Sequence, residues 1–145
     1  MHADNINFFV VAIHTQPSRA VTEINSLVNV YNTFSARYSI NLSFVMGDYN
    51  YGGTYVSSSL QDNLAIDQPP FSRFINKTDG TTVKPFMPTP SNPKKPYDRI
   101  YVVVPGSQII ITSVGIDMFR DILTEEQVYI AKSYIATDNS VIDDI

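Results

Sequence analysis

The chain contains no cysteine. Disulfides, thiolate metal sites and a cysteine nucleophile are therefore excluded. The compartment stays open, because a secreted domain with an adequate core does without bridges. No hydrophobic run approaches the ~18 residues of a transmembrane helix, so no membrane partner is expected. Met1-His2-Ala3-Asp4-Asn5 has no basic segment followed by an apolar run, and no signal peptide is visible there. Histidine is scarce: none follows His14. An excess of positive charge is missing too. Ten basic against fourteen acidic residues give a net charge of −4, which argues against non-specific nucleic-acid binding over the whole surface.

What is present describes a globular domain. The 145 residues match one domain by the prior of roughly 150 per domain, and a domain that size buries ~70% of the surface its unfolded chain exposes. Hydrophobic residues make up 43% and glycines number 6, which together reach the globular range of roughly 45–50%. Disorder and fibrous structure are thereby excluded. Charge is unevenly placed. Between Arg73 and Arg99, the six basic residues Arg73, Lys77, Lys84, Lys94, Lys95 and Arg99 stand against Asp79 and Asp98, a local balance of +4 that leaves −8 for the rest. A basic segment on an acidic body suits a phosphate-bearing partner, although a solvated loop has the same composition. Two sequons, Asn41-Leu42-Ser43 and Asn76-Lys77-Thr78, fit a secretory history. Such triplets also arise by chance.

The pattern of apolar residues predicts strand, helix, strand. Residues 6–13 form a short β-rich run whose near-continuous apolarity predicts cover on both faces. His14 follows at once, and Ser18 is the candidate N-cap. Ala20, Ile24, Leu27, Tyr31, Phe34 and Tyr38 then recur every three or four residues, one face of an amphipathic helix. Arg19, Glu23, Asn25 and Asn29 lie on its other face. Residues 42–46 read as a second buried strand that ends in Gly47-Asp48-Tyr49-Asn50, with Gly52-Gly53 marking a loop. Ligands gather at such strand ends in layered α/β folds. Beyond this lie a weak helix at 55–66 and a strand or buried turn at 71–75. A proline-punctuated loop follows at 76–96 and a strand at 97–104. Pro105-Gly106 signals a turn, with a hairpin return at 108–112. A last helix is expected at 124–132, then a frayed tail.

Four polar residues are read as following buried strands: His14, Asp48, Asn50 and Asp98. A carboxylate is the hard oxygen ligand that Mg²⁺ or Ca²⁺ takes. An asparagine beside it donates to a phosphate oxygen, and an imidazole holds or delivers a proton near neutral pH. This is the equipment of metal-assisted phosphodiester hydrolysis. Each residue also has a plain structural reading: a strand-end histidine, a Gly-Asp turn, an Asp98–Arg99 ion pair.

The stretch His14-Thr15-Gln16-Pro17-Ser18-Arg19-Ala20-Val21-Thr22-Glu23-Ile24-Asn25-Ser26-Leu27 resembles the deoxyribonuclease I family pattern H-x-x-P-x-x-A-V-x-E-I-x-x-L. Met46-Gly47-Asp48-Tyr49-Asn50 and Tyr97-Asp98-Arg99-Ile100 resemble two further motifs of that family, in the same order. Gly-Asp-x-Asn alone indicates the wider endonuclease/exonuclease/phosphatase superfamily; the other two motifs narrow it. The resemblance implies an α/β (α+β) fold with one mixed β-sheet and flanking helices, half of a four-layer α/β/β/α sandwich. It implies DNA as partner, cleaved to 5′-phosphate products with Mg²⁺ and helped by Ca²⁺, and secretion. His14 matches the first catalytic histidine, Asp48 a carboxylate at the metal and phosphate site, and Asn50 the asparagine that binds the scissile phosphate. Asp98 matches the aspartate that orients a second histidine. Arg99, Lys94 and Lys95 are taken as substrate-binding, and Asp79 in Asp79-Gly80-Thr81-Thr82 as a calcium ligand.

The departures from the family pattern set further expectations. Residues 1–134 read as the C-terminal half of the family domain and 135–145 as a divergent tail. The second catalytic histidine and the glutamates of the other half are not among these residues, so little activity is expected of the chain alone. The family's cysteine pair is replaced near Gly53 and Lys95. The inner sheet face is expected to be covered by a homodimer partner or by the missing half. Actin, which binds some family members, is not expected as a partner. Two alternatives stay open: a non-catalytic binding module using residues 73–99, and a superfamily phosphatase or phospholipid phosphodiesterase.

Overall fold

A computed structural model of the chain describes residues 6–52, 54–81, 90, 91 and 93–106. Strand β1 (Phe9–His14) runs into a 3₁₀ turn (Pro17–Arg19), helix α1 (Ala20–Tyr38) and strand β2 (Ser43–Asp48). β1 and β2 pair in parallel. A tight turn cannot join parallel neighbours, and α1 supplies the crossover. A short helix α2 (Ser58–Gln61) and a second 3₁₀ turn (Ala65–Asp67) lead to β3 (Ser72–Arg73) and β4 (Asp98–Val103). β4 pairs antiparallel with β2 and with β3, so the sheet order is β1-β2-β4-β3. The fold is thus α/β, a mixed sheet with flanking helices, as the sequence predicts. The expected hairpin return, last helix and tail lie outside the described residues.

Helix α1 lies where the apolar spacing puts it, with Ala20, Ile24, Leu27 and Tyr31 buried. Its start differs from expectation. Pro17 opens a 3₁₀ turn, the α-helix begins at Ala20, and Ser18 makes no capping bond. The Glu23 carboxylate instead accepts the Gln16 N–H at 2.9 Å, placing negative charge in the first turn, where the helix dipole favours it. The far end differs too: Phe34 and Tyr38 are exposed. A 19-residue helix spans ~28 Å, whereas six-residue strands span ~20 Å. The apolar stripe therefore outruns the sheet, and the Phe34 ring lies near those of Phe9 and Tyr38.

Strand pairing sorts side chains onto two faces. Phe9, Val11 and Ile13 share a face with Val45 and Tyr101, the face that α1 covers. The opposite face aligns Val10 with Phe44 and Val102, then Ala12 with Met46 and Ile100, and last His14 with Asp48 and Asp98. Phe8 is 53% exposed and Val10 50% exposed. The expectation that residues 6–13 are covered on both faces is corrected for the described part: burial in β1 alternates strictly, as in a strand half buried by a single layer.

Candidate active site at one end of the sheet

The last register row of the open face carries the ionisable groups. Gly47 makes the approach to it feasible. Its φ is +140°, and a Cβ there would sit 1.8 Å from the Ile13 carbonyl oxygen. Only glycine lets β2 run this close to β1 immediately before Asp48. His14 Nε2 then lies 3.9 Å from Asp48 Oδ2, with the histidine side chain 51% exposed and the carboxylate 14%. A solvent-reachable imidazole thus stands beside a largely shielded carboxylate.

Asn50 is locked into the same row. It takes the left-handed conformation, φ 51°, which asparagine tolerates. Its N–H donates to Asp48 Oδ1 at 2.7 Å. Its Nδ2 donates to the Thr15 carbonyl at 2.8 Å and to Thr15 Oγ1 at 3.0 Å. The Thr15 N–H in turn donates to the Asp48 carbonyl at 3.0 Å. The loops leaving β1 and β2 are therefore fastened by a buried polar clasp, and its geometry fixes which way the Asp48 carboxylate faces.

Asp98 completes the row as the register partner of Asp48. Its N–H donates to Thr81 Oγ1 at 2.8 Å. Burial pushes the Asp98 carboxyl above the usual range. The Thr81 hydroxyl bond partly offsets this, and the charge of Asp48 adds to it. Tyr97 borders the same end: its carbonyl accepts the Tyr49 N–H at 2.8 Å. Its phenol is pushed up by burial and then by Tyr55 and Asp48. Thr15, Thr81 and Tyr97 escape sequence reasoning because their partners are distant in the chain. The motifs pass through all three positions, but nothing in them assigns these residues a role at the site.

Two expected site residues are placed differently. Arg99 is fully buried. Its Nη2 donates to the Lys77 carbonyl at 2.9 Å and its Nη1 to the carbonyls of Asp98 and Asp79. The guanidinium lies over the Tyr51 ring, 5.6 Å from its centroid. Arg99 alternates onto the α1 side of β4, away from Asp98, so the assignment to substrate contact is corrected: it pins the 77–79 turn to the sheet. Asp79 accepts Asn76 Nδ2 at 3.2 Å within that turn. Among the described residues, no group of three or more His, Cys, Asp or Glu side chains is arranged to hold a metal, so calcium at Asp79 gains no further ligand of those types. Lys94 and Lys95 lie half-buried on the extended segment that leads into β4, where the Lys95 carbonyl accepts the Thr81 N–H at 2.9 Å.

An imidazole beside a carboxylate, a second carboxylate across the strand and a rigid amide are side-chain types that hydrolytic sites use. No family model matches the chain. Curated proteins do. It is 35% identical over 99 residues to deoxyribonuclease-1 of Sus scrofa, a match covering 68% of this chain and 32% of that protein. It is 33% identical over 108 residues to deoxyribonuclease-1 of Bos taurus, covering 69% and 36%. Deoxyribonuclease gamma of Homo sapiens is 32% identical over 109 residues, covering 74% and 33%. The chain is a relative of the deoxyribonuclease I family. It spans about a third of the length of the curated relatives it matches.

Proposed function

We propose that the chain carries part of a deoxyribonuclease I-like phosphodiesterase site that acts on DNA and leaves 5′-phosphate ends. The register row of His14, Asp48 and Asp98, with Asn50 clasped beside it, is the observation that supports this reading. Secretion accompanies it by family resemblance.

A divalent cation fits the donor set. Mg²⁺ is bound through one or two carboxylates, with water and substrate phosphate completing its shell. Asp48 offers hard oxygens at the edge of the open face, and its charge already disfavours ionisation of Asp98, so positive charge there relieves a like-charge pair. Asp48 would hold the ion, which when bound neutralises charge on the scissile phosphate. His14, exposed and beside Asp48, is placed to give a proton to the leaving oxygen. General acid–base help of this kind is worth roughly 10²–10⁴-fold. The nearby Asp48 carboxylate attracts the protonated imidazole electrostatically. Asn50 and Thr15 keep the Asp48 carboxylate from turning away, and Asp98, whose ionisation burial disfavours, places a second carboxyl across the strand from it.

The chain has no histidine after His14, so turnover by these residues alone is slow. A supercoiled-plasmid nicking assay with Mg²⁺ tests the reading. Slow nicking that falls to background in His14→Ala and Asp48→Asn is expected. Robust nicking abolished by those changes would keep the site and overturn the expectation of low activity. Nicking at an unchanged rate in both variants would overturn the site.

A further inference from the structure

We infer that Asn76 is an N-glycosylation site and that the second sequon, at Asn41, is not used. This rests on the reading of the chain as a secreted nuclease, and it concerns a surface remote from the His14 row. Asn76-Lys77-Thr78 has the acceptor spacing, with lysine rather than proline in the middle. In the fold it forms the first three residues of a turn closed by the Asp79 N–H donating to the Asn76 carbonyl at 3.0 Å.

The turn presents the acceptor groups outward. Asn76 and Thr78 are exposed. Lys77 between them is turned aside, its Nζ donating to both Asp62 carboxylate oxygens at 2.9 Å. Its carbonyl is held from beneath by Arg99 at 2.9 Å. Among the described residues the acceptor amide makes one long bond, 3.2 Å to Asp79 within the same turn, which costs little to release. Asn76 and Thr78 also border an open cleft of about 570 Å³ whose floor includes Phe71 and Arg73, so a sugar on the amide meets free volume rather than packed side chains. The acceptor is therefore available before folding and after it.

Asn41 is exposed as Asn76 is, but the rest of its triplet, Leu42-Ser43, differs. The Asn41 Oδ1 accepts the Ser35 hydroxyl at 2.6 Å, and its carbonyl accepts the Tyr31 hydroxyl. Leu42 and Ser43 are buried, and Ser43 is paired in β2 between Phe9 and Val103. Strand formation removes the hydroxyl that the acceptor triplet needs. The structure thus divides two identical-looking sequence signals into one open and one closed.

The test uses the full chain with a cleavable leader, expressed in mammalian cells and analysed in lysate and medium by amidase treatment and peptide mass mapping. One glycan is expected, on the peptide containing Asn76. It is lost in Asn76→Gln and in Thr78→Ala, retained in Thr78→Ser, and unaffected in Asn41→Gln. A chain that enters the secretory route without a glycan, or one that carries it on Asn41 and not Asn76, overturns the inference. Because the leader imposes the route, such a result leaves the nuclease reading untouched, and a failed nicking assay leaves the glycan test untouched.

Discussion

The two faces of the sheet are built from the same three strands yet hold opposite chemistry. On the α1 side, every second residue meets the helix or the tyrosine cluster. Tyr51 and Tyr101 share a hydroxyl contact at 2.9 Å, and Tyr101 donates on to Asp67. Burial keeps these phenols protonated far above their ordinary range, so that network is structural. On the other side, Phe8 and Val10 at the β1 edge stand exposed while Val102 of β4 is buried, and the apolar rows run directly into His14, Asp48 and Asp98. The ionisable row lies at the end of that face, beyond the apolar rows. A second layer laid on that face would exclude water from the row and strengthen its electrostatics.

The comparison is most sharply broken through Gly47, which both faces depend on. Gly47→Ala places a Cβ against the Ile13 carbonyl and is expected to cost at least ~3 kcal/mol, since overpacking and backbone strain add. Urea unfolding followed by circular dichroism measures it, and a near-neutral result would mean that β1 and β2 do not approach as described. Next in size is the contrast between faces. Ile24→Ala on the covered side should cost about 2–5 kcal/mol, whereas Val10→Asp on the open side should cost roughly 0.5 kcal/mol. Equal costs would show that the open face is covered.

A smaller effect has the opposite sign. The Asp98 carboxyl is raised in the folded state by burial and then by Asp48. The folded chain therefore binds that proton more tightly than the unfolded chain, and stability falls as pH rises through the folded pKa. Asp98→Asn is expected to raise the melting temperature modestly at neutral pH, with the gain vanishing at pH below the unfolded carboxyl range. Thermal melts at several pH values check this; a lower melting temperature at neutral pH would contradict it. The smallest effect is expected from Lys94→Glu with Lys95→Glu. If both meet phosphate, the slope of log affinity for duplex DNA against log salt flattens by roughly 1 for each lysine–phosphate pair removed. An unchanged slope removes them from the DNA surface.

Much of this was legible in the sequence because it is local. The three- and four-residue steps of α1 and the strand-ending His14 and Gly47-Asp48-Tyr49-Asn50 need no long-range information. What was not legible depends on interactions across the chain. The apolar run through β1 does not say whether one face or two are covered, since a continuous run fits both. Thr15 matters through Asn50, 35 residues away, and Thr81 through Asp98, 17 residues away. Arg99 is expected at the substrate because it belongs to the basic segment 73–99, which suits a phosphate-bearing partner. Its position on β4 puts it inside, where three carbonyls and an aromatic ring replace water.

The central claim is that His14, Asp48, Asn50 and Asp98 act as one cation- and phosphate-handling row. Titration of the ¹⁵N-labelled chain with Mg²⁺, followed residue by residue by amide chemical shift, tests it most directly. The account predicts saturable shifts concentrated at these four residues and at Thr15 and Thr81, and their disappearance in Asp48→Asn. Saturable shifts located elsewhere, or unchanged in that variant, would contradict it.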